Sequence, residues 1–136
     1  MQATGAVILC VFLVVGCQPS KSKPASPETL AKGGEVYGMA CAQCHYDGLS
    51  GSMHPALRGS PALMGDPDAV ISIILNGQSG LSVVDGKPLH GIMPAQAYLT
   101  DEEIASVVTF IRSEFAGISA EVAPAAVGRV RAAAKP

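Results

Sequence analysis

The chain has 136 residues and a formal charge of −2, with no long run of either sign, so the basic footprint of a nucleic-acid binder is missing. Aromatics make up 4% and tryptophan is absent, whereas 15 glycines and 10 prolines predict that loops form much of the fold. Once an apolar leader is set aside, roughly 120 residues remain, enough for one small domain whose core gains from a staple such as a metal or a large flat cofactor.

The leader comes first. Ala6 to Val15 is an unbroken apolar run, too short for a stable membrane-spanning helix and of the length of a signal-peptide core. Val14-Val15-Gly16-Cys17 resembles a bacterial lipoprotein box, which implies cleavage before Cys17 and a lipid on that cysteine. No Lys or Arg precedes the run, a departure from the usual export signal. An ordinary signal-peptidase site and a retained membrane helix are the alternatives. Residues 18–27 are rich in Pro, Ser and Lys, a composition that builds no core and reads as a tether. The expected organisation is a signal peptide over 1–16, a lipid-anchored tether over 17–27, a folded domain over 28–116 and a tail over 117–136 with a short surface helix from Pro124. The domain would stand on the periplasmic side of a bacterial membrane.

Glu28 to Cys44 predicts the first helix, entered at Pro27, with Leu30, Gly34, Tyr37 and Cys41 forming an inward stripe. At its end stands Cys41-Ala42-Gln43-Cys44-His45, the C-x-x-C-H spacing of c-type haem attachment. Two residues between the thiols in a helical turn place both sulfurs along one porphyrin edge, where each adds across a vinyl group. The adjacent His45 then faces the iron. A thioredoxin-like redox pair would want a preceding strand, and a zinc site would want two further ligands at finger-like spacing; a chance pentapeptide is the third alternative. Cys10 is lost with the leader, so the remaining cysteines are an odd set and a disulfide framework fits poorly.

Pro55 follows His45 by ten residues. Its neighbourhood offers a carbonyl for the second ring nitrogen of a proximal histidine, or is an ordinary loop. His54 and His90 read as surface residues, with His90 an alternative iron ligand. Asp66-Pro67 is a helix start, an N-cap followed by proline, and Asn76-Gly77 a stop. Gln78 to Ile92 reads as a glycine-rich loop with room for a small hairpin at Asp85-Gly86. Met93, in Gly91-Ile92-Met93-Pro94-Ala95, is the candidate sixth ligand. Methionine sulfur is a soft donor, and a His/Met pair raises the potential of haem iron while closing it to substrate. Met39 shares the attachment helix, Met53 lies near the proximal side in sequence, and Met64 is the main rival. Thr100-Asp101-Glu102-Glu103 is a capping box, followed by a 3.6-residue apolar face at Ile104, Val107, Val108, Ile111 and Phe115 and a stop at Gly117.

Taken in order, CAQCH, Pro55-Ala56-Leu57, Ile74-Leu75-Asn76-Gly77, Gly91-Ile92-Met93-Pro94-Ala95 and the Leu99–Ile104 helix start resemble the class I cytochromes c, over about residues 30 to 116. The resemblance implies an all-α, cytochrome c-like fold of three to five short helices around one covalent haem c. It implies Cys41 and Cys44 as thioether residues, His45 and Met93 as axial ligands, and Pro55 as the residue orienting His45. It also implies a crossing of the first and last core helices where Gly33 and Tyr37 meet Phe110 or its neighbours. Arg58, Lys87 and Tyr98 are candidates for the haem carboxylates. The implied function is one-electron transfer between redox-protein donors and acceptors in a respiratory or dehydrogenase chain, without catalysis by the domain itself. A subunit of a larger dehydrogenase or oxidase, and a haem-based ligand sensor, are the alternatives.

Overall fold

The computed structural model describes residues 23–49, 54–84 and 87–134. The leader, Cys17, Met53 and the Asp85-Gly86 turn lie outside the described residues. Among those described, six helical segments and one two-stranded sheet surround a single core.

Helix α1 (Pro27–Ala40) starts where Ser26 accepts from the Thr29 N–H at 3.1 Å and Pro27 occupies the first turn. It ends before Cys41, and a separate turn, α2 (Ala42–His45), completes the stretch predicted as one helix. The break is local: Cys41 N–H still bonds to Tyr37 at 2.9 Å, but Cys41 takes φ −120°, the next turn closes on the Cys41 carbonyl, and Tyr46 at φ +48° ends that turn. The inward stripe also differs from the predicted one. Gly33, Val36 and Tyr37 are buried, whereas Leu30 and Gly34 are half-buried.

Helices α3 (Pro61–Met64) and α4 (Pro67–Asn76) follow, the second capped by Asp66 as the sequence predicts. Strands β1 (Gln78–Val84) and β2 (Lys87–Met93) pair antiparallel, with Gln78 opposite Met93. The segment predicted as a loop with room for a hairpin is therefore a hairpin over most of its length.

Helix α5 (Asp101–Ala116) carries the core. Both bonds of the capping box are present, and Ile104, Val107, Val108, Ile111 and Phe115 are all buried. It crosses α1 at Gly33, where a Cβ would collide with the Ser106 carbonyl oxygen and stand 2.6 Å from the Phe110 Cβ. Only a glycine lets the two backbones meet there, and the Tyr37 and Phe110 rings then pack 5.6 Å apart. Arg112 is buried on the same helix. Its guanidinium donates to the carbonyls of Leu63 (3.1 Å) and Gly65 (3.0 Å), satisfying the end of α3.

Both ends of the described part are tied in. Residues 23–26, predicted as tether, are held against the segment after α5: Ala25 N–H donates to Ser119 at 2.7 Å and Glu121 N–H to Lys23 at 2.8 Å. Helix α6 (Pro124–Ala133) packs against α4 and α5 and buries Val127 completely, so it is docked rather than loosely laid on the surface.

Candidate functional site

The α1–α2 break sets up the first half of a cleft. Cys44 and His45 N–H groups both return to the Cys41 carbonyl, at 3.1 and 2.9 Å, which winds the three side chains onto one tight turn. Both thiols are free; Cys41 is half-buried and Cys44 exposed. Burial, reinforced by Cys44, pushes the Cys41 thiol up to about 11. The turn follows a helix, α1, and not the strand that a thioredoxin-like pair would want. Among the described residues no three His, Cys, Asp or Glu side chains gather as a metal-binding group, so the donor set of a zinc site is not assembled.

The chain then folds back. Gly48 N–H bonds to the His45 carbonyl at 2.8 Å, and the Gly48 carbonyl accepts from both Leu57 and Arg58 at 3.0 Å. These bonds bring Pro55 to His45. Nδ1 of His45 is buried and makes no hydrogen bond of acceptable distance and angle. Burial lowers the His45 pKa, His54 lowers it further, and the Pro55 carbonyl acts in the opposite sense. The neutral imidazole so favoured is the form that binds metals.

The second half comes from β2 and the segment after it. The Gln96 N–H bonds to the Ile74 carbonyl at 2.8 Å, and its side chain donates to Pro94 at 3.1 Å. Gly77, at φ +72°, lies so close that a Cβ would stand 2.8 Å from the Ala95 nitrogen and 3.1 Å from the Pro94 carbonyl carbon. The C-terminus of α4 thus fixes where Met93 leaves the hairpin.

Cys41, Cys44, His45, Pro55 and Met93 all line one cleft, about 850 Å³ of empty space that is partly open to solvent. Its walls include Ala40, Ile74, Leu99 and Val107, so the lining is mostly apolar. Met39 and Met64 are 65% and 55% exposed and do not line the cleft, which leaves Met93 as its methionine among the described residues. The donor set fits a covalent haem. Two free thiols share one turn, the His45 imidazole lines the cleft beside them, and a soft sulfur shares that apolar cleft.

Sequence reasoning missed several lining residues. His54, expected on the surface, is half-buried with its ring 6.2 Å from that of His45. Gln78 and Gln96 also line the cleft; they carry no motif, and only the hairpin register and the Ile74 bond reveal them. Arg58 does not line it: the guanidinium lies 5.4 Å over the Phe115 ring, beside Glu114. Tyr98 is 72% exposed and likewise off the lining. The side chains of Lys87 and His90 lie outside the described residues.

The family model for cytochrome c matches residues 30–114. Over 88 residues the chain is 38% identical to the gluconate 2-dehydrogenase cytochrome c subunit of Pantoea cypripedii, an alignment covering 61% of this chain and 20% of that protein. It is 35% identical over 88 residues to cytochrome c-552 of Thermus thermophilus, covering 60% of this chain and 66% of that one. The chain thus spans less than two thirds of either relative's length.

Proposed function

The chain belongs to the cytochrome c family, and from that premise we propose that it carries one electron at a time between protein partners through a single haem held at Cys41, Cys44, His45 and Met93. Its cofactor is haem c, covalently bound. When bound, the haem supplies a one-electron ferric/ferrous couple. Cys41 and Cys44 form the thioethers, and the mature cofactor cannot dissociate when its oxidation state changes. His45 and Met93 would hold the iron. With Nε2 turned to the iron, the Pro55 carbonyl would accept a hydrogen bond from Nδ1–H of His45 and fix the ring. Ile74, Leu99 and Val107 keep water from the buried face.

The reading rests on one observation: the attachment turn and Met93, 48 residues apart in sequence, line the same apolar cleft. With both residues on the iron no position would be open to substrate, which supports electron transfer without catalysis by the domain itself. The likeness to a dehydrogenase cytochrome subunit supports a dehydrogenase-type donor or acceptor. No helix among the described residues is long and apolar enough to cross a membrane. Membrane attachment is assigned to a lipid on Cys17, which puts the domain on the periplasmic side, and Cys17→Ser should move the protein into the soluble fraction.

The test is expression with a haem-attachment system. Haem should stay with the polypeptide on a denaturing gel, and the reduced protein should not bind carbon monoxide at neutral pH. Loss of haem on denaturation rejects the thioethers; ready carbon monoxide binding rejects a six-coordinate carrier and favours a ligand sensor.

A further inference from the structure

Helix α6 lies beyond residues 30–114, the part of the chain that matches the family. Its contacts converge on one place. Arg131 uses all three guanidinium nitrogens: Nε donates to Asp101 Oδ1 at 2.8 Å, Nη1 to the Ala97 carbonyl at 2.9 Å, and Nη2 to the Leu99 carbonyl at 2.8 Å. Ala97 and Leu99 belong to the segment that joins Met93 to α5, and Leu99 itself lines the cleft with Met93. Val127 is fully buried, with Ala126 and Val130 packed beside it, so the helix that presents Arg131 is seated in the core.

The same segment has few other restraints. Among the described residues its backbone is held by the Gln96 bond to Ile74 at the front and by a bond from the Leu99 N–H to the Gln96 carbonyl within the segment. The carbonyls of Ala97 and Leu99 point to the guanidinium. A planar fork can hold two carbonyls and a carboxylate in one geometry, which an ammonium cannot do. Helix stability alone does not require this, since burial of Val127 already docks α6.

We propose that α6 is a clamp on the methionine side of the cleft, and that Arg131 is a positioning residue that sets how often the Met93 sulfur leaves the iron. The proposal rests on Met93 being the sixth ligand. Arg131 touches neither haem nor ligand; it acts by holding the strand of chain on which Met93 is carried.

The test is imidazole binding to the ferric, haem-loaded protein, with Met93→Ala as the fully open limit. Arg131→Ala should tighten apparent imidazole affinity by about tenfold, the loss expected when charge-assisted bonds to the segment are removed. Arg131→Lys should fall between wild type and Arg131→Ala, and it serves as the test variant if the alanine form does not fold. If Arg131→Ala lowers the unfolding midpoint and leaves imidazole affinity at the wild-type value, α6 is a stability brace and the clamp is rejected. Wild-type affinity already equal to that of Met93→Ala would reject the ligand assignment instead. Amide hydrogen exchange at residues 96–99 then decides the clamp: faster exchange in Arg131→Ala keeps it, and unchanged exchange removes it.

Discussion

Where α1 crosses α5, the chain is held by buried surface: Val36, Tyr37, Val107, Ile111 and Phe115 are each at most 7% exposed, and two backbones touch at Gly33. Between Gly77 and Thr100, Leu99 is the one buried residue among the side chains described, Ile92 and Tyr98 are 78% and 72% exposed, and the chain is held mainly by individual bonds. The first region carries the thiols and the histidine; the second carries the methionine. Fully burying one large apolar side chain is worth about 1.5–3 kcal/mol, whereas one hydrogen bond nets about 1 kcal/mol. The two sides of the cleft therefore differ in firmness. The covalent side sits on the packed crossing, and the side where a ligand can come and go is held by contacts that open singly.

The largest effect should come from the crossing. In an exposed helix, Gly→Ala stabilises by roughly 0.5–1 kcal/mol. At Gly33 the sign should invert, because the new Cβ would meet the Ser106 carbonyl oxygen and the Phe110 Cβ; the expected loss is about 3 kcal/mol. Gly38, on the same helix, has nothing within 4 Å of its Cβ position, and Gly38→Ala should show the ordinary gain. Denaturant unfolding of the haem-loaded protein reads both. Equal effects at the two sites would remove the close crossing.

Gly77→Ala should rank next, at about 2 kcal/mol, since φ +72° is strained for an L side chain and the Cβ would press on the Met93–Ala95 backbone. Its damage should be confined to the methionine side. Amide exchange should accelerate at Gln96 and along the hairpin while the amides of α1 keep wild-type protection. Uniform acceleration would mean that the two regions open together.

The contrast also explains what could be read in advance. The Asp66-Pro67 start, the Thr100 capping box and the α5 face are short-range signals, and each acts within its own helix. Three residues, Cys41, Cys44 and His45, mark the attachment turn for the same reason. The break at Cys41 was not legible, because no glycine or proline stands there and it lies in the φ of −120° that Cys41 itself adopts. The hairpin over Gln78–Met93 carries weak alternation, so only the Asp85-Gly86 pair hinted at it. Docking of α6 rests on Val127 meeting two other helices, a tertiary fact that a run such as Pro124-Ala125-Ala126-Val127 cannot reveal. His54 looked like a surface residue because nothing in its sequence neighbours shows the fold-back through Gly48.

The smallest expected effect lies at the seam, where the bonded segment enters the packed helix. Thr100 Oγ1 accepts from the Glu103 N–H at 3.2 Å, and the Glu103 carboxylate accepts from the Thr100 N–H at 2.8 Å. Thr100→Ala should cost about 1 kcal/mol, and Thr100→Ser should keep most of it. The backbone bond from Thr100, followed by its side-chain bond, holds the Glu103 carboxyl below the usual glutamate range. A depressed folded pKa contributes stability above the unfolded value and loses it as pH falls through the folded one. Thr100→Ala keeps the backbone bond, so both proteins should lose that contribution in acid and their difference should shrink only by the part the Thr100 hydroxyl supplies, read by unfolding midpoints on either side of the ordinary glutamate range. If α5 is anchored mainly by its buried face, only its first turn should fray, and the exchange of Val107 and Val108 should stay as in wild type. Faster exchange at those two amides would place the nucleus of the packed region at the cap, and the division between bonded and buried halves would fail at its boundary.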